Sequence, residues 1–99
     1  MQVVACRITL HLADNHTLKG KRQVVQALTA RLRNRFNVSV AEVDSHDLWQ
    51  TATLGLAVVA PDGAQAQRTI EQVVHFIEDS VRGEGEVVDF QTEYMPGVL

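Results

Sequence analysis

Hydrophobic and polar positions alternate from Val4 to Leu12. Val4, Cys6, Ile8, Leu10 and Leu12 fall on one side, and Ala5, Arg7, Thr9 and His11 on the other. A period of two is the mark of a strand with one apolar face. Asp14, Asn15 and His16 supply turn chemistry, and Thr17 is suited to cap a helix. The period then lengthens. Val24, Leu28, Leu32 and Phe36 recur every four residues with Val25 beside them, which predicts a helix with one apolar stripe. Lys19, Arg22, Gln26 and Arg33 fall on its opposite face, while Arg31 and Arg35 flank the stripe. The helix is expected to stop near Phe36–Asn37, because asparagine tolerates the left-handed conformation that often ends helices.

Val38 to Val43 is rich in β-branched residues and predicts a second strand. Asp44 to Asp47 reads as a turn, and the connection extends to about Gln50. Thr51 to Ala60 predicts a third strand with Leu54, Leu56 and Val58 inward. Pro61-Asp62-Gly63 breaks the chain and offers Asp62 as a helix cap. Ala66, Ile70, Val73, Val74, Ile77 and Val81 then repeat at helical spacing. Gly83 to Gly85 ends that helix, and Glu86 to Tyr94 predicts a last strand.

The resulting order, β-α-β-β-α-β, is the split βαβ arrangement of ferredoxin-like α+β domains. Right-handed crossovers place both helices on one face of a four-stranded antiparallel sheet. The other face would carry Arg7, Thr9, His11, Gly55, Ala57 and Val59. Residues 1–95 are expected to form one domain, with 96–99 as a loose tail after Pro96 and Gly97.

Charge changes this picture more than composition does. Residues 1–36 hold seven basic side chains against one acid, and residues 37–99 hold two against eleven, within a net charge of −3. Such asymmetry concerns partners and steering rather than fold. No apolar run approaches the ~18 residues of a membrane span, so no membrane partner is expected. One cysteine, Cys6, cannot form an internal disulfide, and its place on the inward face suits a small hydrophobe. The start of the chain lacks secretory features, and a cytoplasmic location is expected.

The sharpest anomaly is the predicted start of the first helix, where Lys19, Lys21 and Arg22 oppose the macrodipole. Two readings follow. The three cations with Gly20 among them can form a phosphate or carboxylate site, or Asp14 and acids of the second half can reach this end and neutralise it. Arg33 is a weaker addition to the first reading. Arg31 and Arg35 can instead pair with Glu71 or Glu78 of the second helix. Trp49, the lone tryptophan, is either an anchor that folds its loop onto the sheet or an exposed partner contact.

Other constellations carry less. Ser45, His46 and Asp47 are adjacent, whereas a catalytic triad is assembled from separate parts of a fold. The histidines lie in four different elements without partners at ligand spacing, so no metal is expected. No phosphate-loop or dinucleotide motif is present, and no cofactor is expected. The outward strand positions hold no aromatic ring, which argues against reading RNA bases on the sheet as RRM domains do. Their small residues suit a second subunit, so homodimerisation through this face is an alternative.

Three strings, Thr17-Leu18-Lys19-Gly20-Lys21-Arg22, Arg35-Phe36-Asn37-Val38-Ser39-Val40-Ala41-Glu42-Val43 and Asp47-Leu48-Trp49-Gln50, resemble the YlxP-like family of small uncharacterised bacterial proteins. The resemblance runs from the first strand to Val88 and implies a ferredoxin-like fold. Relatives are often encoded beside translation-initiation and ribosome-maturation factors, which implies a role near RNA or a ribosomal particle. Gly20 departs from the pattern, since relatives commonly carry Glu there, which removes a capping-box contact. The sequence therefore points to a non-enzymatic binding module, with Lys19, Lys21, Arg22 and Arg33 toward nucleic acid and Trp49 toward a partner. A homodimeric interaction domain that uses the open sheet and the acidic half is the alternative.

Overall fold

The computed structural model describes residues 1–97. Strand β1 spans Gln2–His11, helix α1 Leu18–Arg35, β2 Val38–Asp44, β3 Thr51–Ala60, helix α2 Gly63–Val81 and β4 Glu86–Tyr94. Neighbouring strands are antiparallel in the order β2-β3-β1-β4. This is the ferredoxin-like α+β arrangement that the element order predicts. Residues 98–99 of the predicted tail lie outside the described residues.

Period-two alternation explains the sheet's two faces. Val4, Cys6, Ile8 and Leu10 of β1 pair with Val58, Leu56, Leu54 and Ala52 of β3, all buried. Val25, Leu28 and Leu32 of α1 and Ala66, Ile70, Val73, Ile77 and Val81 of α2 complete the same core. Burying a large aliphatic side chain contributes roughly 1.5–3 kcal/mol, so these residues carry most of the fold's stability. Among the described residues, no helix packs on the opposite face. Arg7 pairs with Gly55, Ala5 with Ala57 and Val3 with Val59 there, as the alternation predicts.

Both helix starts follow from their caps. Thr17 Oγ1 accepts a 2.9 Å hydrogen bond from Gly20 N, and Asp62 Oδ1 accepts one from Gln65 N at 2.9 Å. Each satisfies an orphan amide and is worth about 1 kcal/mol. Helix α1 stops where expected, with Phe36 as its C-cap, but not through the expected conformation. Phe36 takes an extended conformation, φ −128° and ψ 151°, while its N–H still bonds Leu32 O. The chain passes straight into β2 with no left-handed residue at Asn37. Phe36 is held there because its ring packs edge-on against Phe76 of α2, with centroids 5.7 Å apart.

The two outer strands are unequal. β2 bulges between Glu42 and Asp44, which leaves Val43 lying over Gly55 on the open face. β4 bulges opposite Thr9 and Leu10, after which Asp89 to Tyr94 pairs regularly with β1. The bulge keeps Val87, Phe90, Thr92 and Tyr94 on the helix side and Asp89, Gln91 and Glu93 on the open side.

Candidate functional site

Lys21 is the residue that the structure reassigns. Its side chain is only 1% exposed, under α1, and its ammonium donates to Ser45 O at 2.7 Å, His46 O at 3.1 Å and Thr51 O at 3.3 Å. Glu42 Oε2 lies 3.0 Å from the same nitrogen as its ion-pair partner, without a hydrogen bond of its own. An ammonium has three protons, and three carbonyls take them. Glu42, on the helix side of β2 opposite Leu54, therefore contributes charge attraction alone. A group so enclosed cannot reach a phosphate, and the expectation that Lys21 contacts an external anion is corrected. Its partners belong to β2, β3 and the loop joining them, so it clamps that loop to α1.

The clamp shapes the loop. Ser45 adopts φ +61°, rare for a residue with a side chain. Its carbonyl meets Lys21, its N–H meets Asp44 Oδ1 at 2.8 Å, and its Oγ lies 2.9 Å from Thr53 Oγ1. Ser45 Oγ is thus engaged with Thr53, while His46 Nε2 faces Glu42 O at 3.3 Å. These contacts make a turn.

Lys19 and Arg22 behave differently. Both are exposed, and among the described residues the ion pairs are Lys21–Glu42 and Arg82–Asp79, so neither has an acidic partner. The first turn of α1 contains no acid. Trp49 is 53% exposed, as is Leu48 beside it. The structure brings Trp49 to this same end of the molecule. Asn15 Nδ2 donates to the Trp49 carbonyl and, at 2.8 Å, to the carbonyl of the helix cap Thr17. Gln50 Nε2 donates to Ala13 O at 3.1 Å, and Leu12 N to Gln50 O at 2.7 Å. The Asn15 amide oxygen also lies against Gly20, so a Cβ there would have to displace that side chain.

The carboxyl-terminal arginines of α1 are separate. Arg33 donates to Val40 O at 2.7 Å across the edge of β2, so its guanidinium is partly engaged and lies away from the amino end. Arg31 and Arg35 find aromatic partners in place of Glu71 and Glu78. Their guanidinium carbons lie 5.4 and 5.3 Å from the Phe76 centroid, and Arg31 also donates to Ser80 Oγ at 3.2 Å. Cys6 is buried, and desolvation pushes its thiol from 9.0 up to about 11, which keeps it protonated and unreactive at neutral pH.

Sequence reasoning missed Glu42, Asn15 and Ser45. The first had a signal. Glu42 follows Val38 and Val40 at period two on the inward face of β2, where a charge needs a partner. Lys21 is seven residues before Leu28, about 20° around a helix, so it lies on the buried stripe. Reading those two together would have paired them.

Comparison with known proteins agrees with this fold. Residues 3–92 match the model of a family described as protein of unknown function, DUF503. The chain is 35% identical over 65 residues to the uncharacterised protein YlxP of Bacillus subtilis (strain 168), covering 66% of this chain and 71% of the relative. A crystal structure provisionally named as a chlorite dismutase superposes on 95% of this chain with a TM-score of 0.58 and 6% identity. This chain spans 44% of that protein, and the likeness is one of fold.

Proposed function

We propose that this chain, which belongs to the DUF503 family of unknown function, is a non-enzymatic module that binds single-stranded RNA at the amino end of α1. One observation carries the reading: two exposed cations without acidic partners among the described residues, Lys19 and Arg22, share that end with the half-exposed Trp49. Single-strand recognition combines cations along the phosphate backbone with an aromatic face on which a base stacks. The α1 N-terminus adds a positive dipole end without an opposing acid in its first turn. Lys21 serves indirectly, by fixing the loop that carries Trp49. A cytoplasmic site of action suits a chain whose single thiol is buried.

Trp49 is the sole tryptophan and so reports on its own surroundings. Titrating a single-stranded RNA 12-mer should quench its fluorescence saturably and more weakly at higher salt. Unchanged emission at RNA concentrations that saturate a control binder would overturn the proposal.

A second reading rests on a different face. Val43 and Val59 are exposed on the open side of the sheet, among Ala41, Gly55 and Ala57. Such a flat, small-residue surface suits a homodimer. Sedimentation equilibrium tests it, with a monomer at high protein concentration as the contrary result.

A further inference from the structure

We propose that the outer edge of β4 accepts an extended peptide as an added strand, with apolar residues alternating with Lys or Arg. The site is independent of the α1 end. Among the described residues, Asp89 to Tyr94 beyond the bulge pairs with β1 on one edge only, because β4 ends the sheet. Its outer edge offers main-chain groups over about six residues, roughly 20 Å of strand.

Side chains on the two sides of this edge differ in a way that dictates the partner. On the helix side, Phe90 and Tyr94, 40% and 43% exposed, form a groove of about 440 Å³ with Ile70 and Val74 of α2. Glu71 and His75 are the titratable side chains of its helical wall, and no Lys or Arg lines it. On the open side, Asp89 and Glu93 alternate with Gln91, which bonds Arg7 at 3.2 Å and Asp89 at 3.0 Å. Glu93 makes no ion pair among the described residues. An added strand sends alternate side chains to opposite faces. Those on the helix side would meet Phe90 and Tyr94, and those on the open side Asp89 and Glu93. Hence apolar residues at one parity and cations at the other.

Two alternatives are disfavoured on the same grounds. A second copy pairing β4 with β4 would oppose Asp89 and Glu93 of one chain to those of the other. The opposite edge, β2, is guarded, because Arg33 occupies Val40 O and the strand bulges at Val43. Strand addition is therefore directed to β4.

The probe is an acetylated Val-Lys-Val-Lys-Val-Lys hexapeptide, against a block-ordered Val-Val-Val-Lys-Lys-Lys peptide and an alternating one with N-methylated backbone amides. Amide NMR of the labelled full chain should show shifts at 89–94, with both controls at least tenfold weaker. Asp89→Lys/Glu93→Lys, at exposed positions that leave the core intact, should weaken the alternating peptide at least tenfold, as should Phe90→Ala. Equal binding of the three peptides, or shifts confined to other strands, overturns the proposal. So does sedimentation showing wild-type dimers that Asp89→Lys/Glu93→Lys disperses, since a second copy would then occupy the edge.

Discussion

The ammonium of Lys21 lies 3.0 Å from Oε2 of Glu42, enclosed between α1 and the edge of the sheet. Loss of the cation leaves three carbonyls and a mostly buried carboxylate uncompensated. Removing one partner of such a buried pair costs about 3–5 kcal/mol. Lys21→Met should therefore lower the urea-derived stability by about that amount. Glu42→Gln should cost less, because Lys21 keeps its three hydrogen bonds. Lys19→Met, at an exposed position, should stay within about 0.5 kcal/mol of wild type.

Glycine substitutions should differ in sign. A Cβ on Gly85 would collide with the His11 carbonyl and lie 2.8 Å from Leu12 Cδ2, so backbone must move. Gly85→Ala should destabilise by about 1–3 kcal/mol. Gly63 opens α2 with nothing within 4 Å of an added Cβ. Gly63→Ala should stabilise by about 0.4–1 kcal/mol through the unfolded chain. Thermal denaturation of the two variants reads both effects.

Phe76 receives Phe36 edge-on and the guanidinium groups of Arg31 and Arg35. Aromatic pairs contribute about 0.5–1.5 kcal/mol and exposed cation–π contacts about 0.5–1 kcal/mol. Phe76→Leu should thus cost about 1–3 kcal/mol in urea denaturation. Glu71→Gln and Glu78→Gln should change stability by under about 0.5 kcal/mol, since neither acid holds the arginines.

Alkaline pH provides a fourth check. In the folded chain the Cys6 thiol keeps its proton up to about 11, whereas a free thiol loses it near 9.0. Between those values the unfolded state binds fewer protons, so stability falls as pH rises. The contribution is complete below 9.0 and lost toward 11. Cys6→Ala should flatten this part of the stability–pH curve, measured by urea denaturation from pH 8 upward. Native Cys6 should also resist alkylation at pH 8 until the chain unfolds.

Much of this was legible in the residues, for identifiable reasons. Thr51–Ala60 and Glu86–Tyr94 have the bounds their patterns predict, because the turn formers around them leave little latitude. Thr17 and Asp62 cap their helices as their side-chain chemistry requires. The candidate anion site was only partly legible. Charge sign and position along a helix separate Lys21 from Lys19 and Arg22 only when the stripe is drawn through Val25, Leu28 and Leu32. The proximity of Trp49 to Thr17 had no local signal, since it depends on an asparagine amide spanning two loops 34 residues apart in sequence. The stop near Phe36 was legible, but its extended geometry was not, since there the Phe36 ring meets Phe76 of α2 in a tertiary contact.

The salt dependence of single-stranded RNA affinity tests the central claim most directly, compared among wild type, Lys19→Ala/Arg22→Ala and Trp49→Ala. Each single-strand phosphate contact contributes about 0.7 to the slope of log affinity against log salt. The double variant should therefore lose about 1.4 from that slope. Trp49→Ala should weaken binding by about 1–3 kcal/mol, the worth of one stacked base, with its slope unchanged. Identical affinities and one common slope for all three proteins would contradict the account.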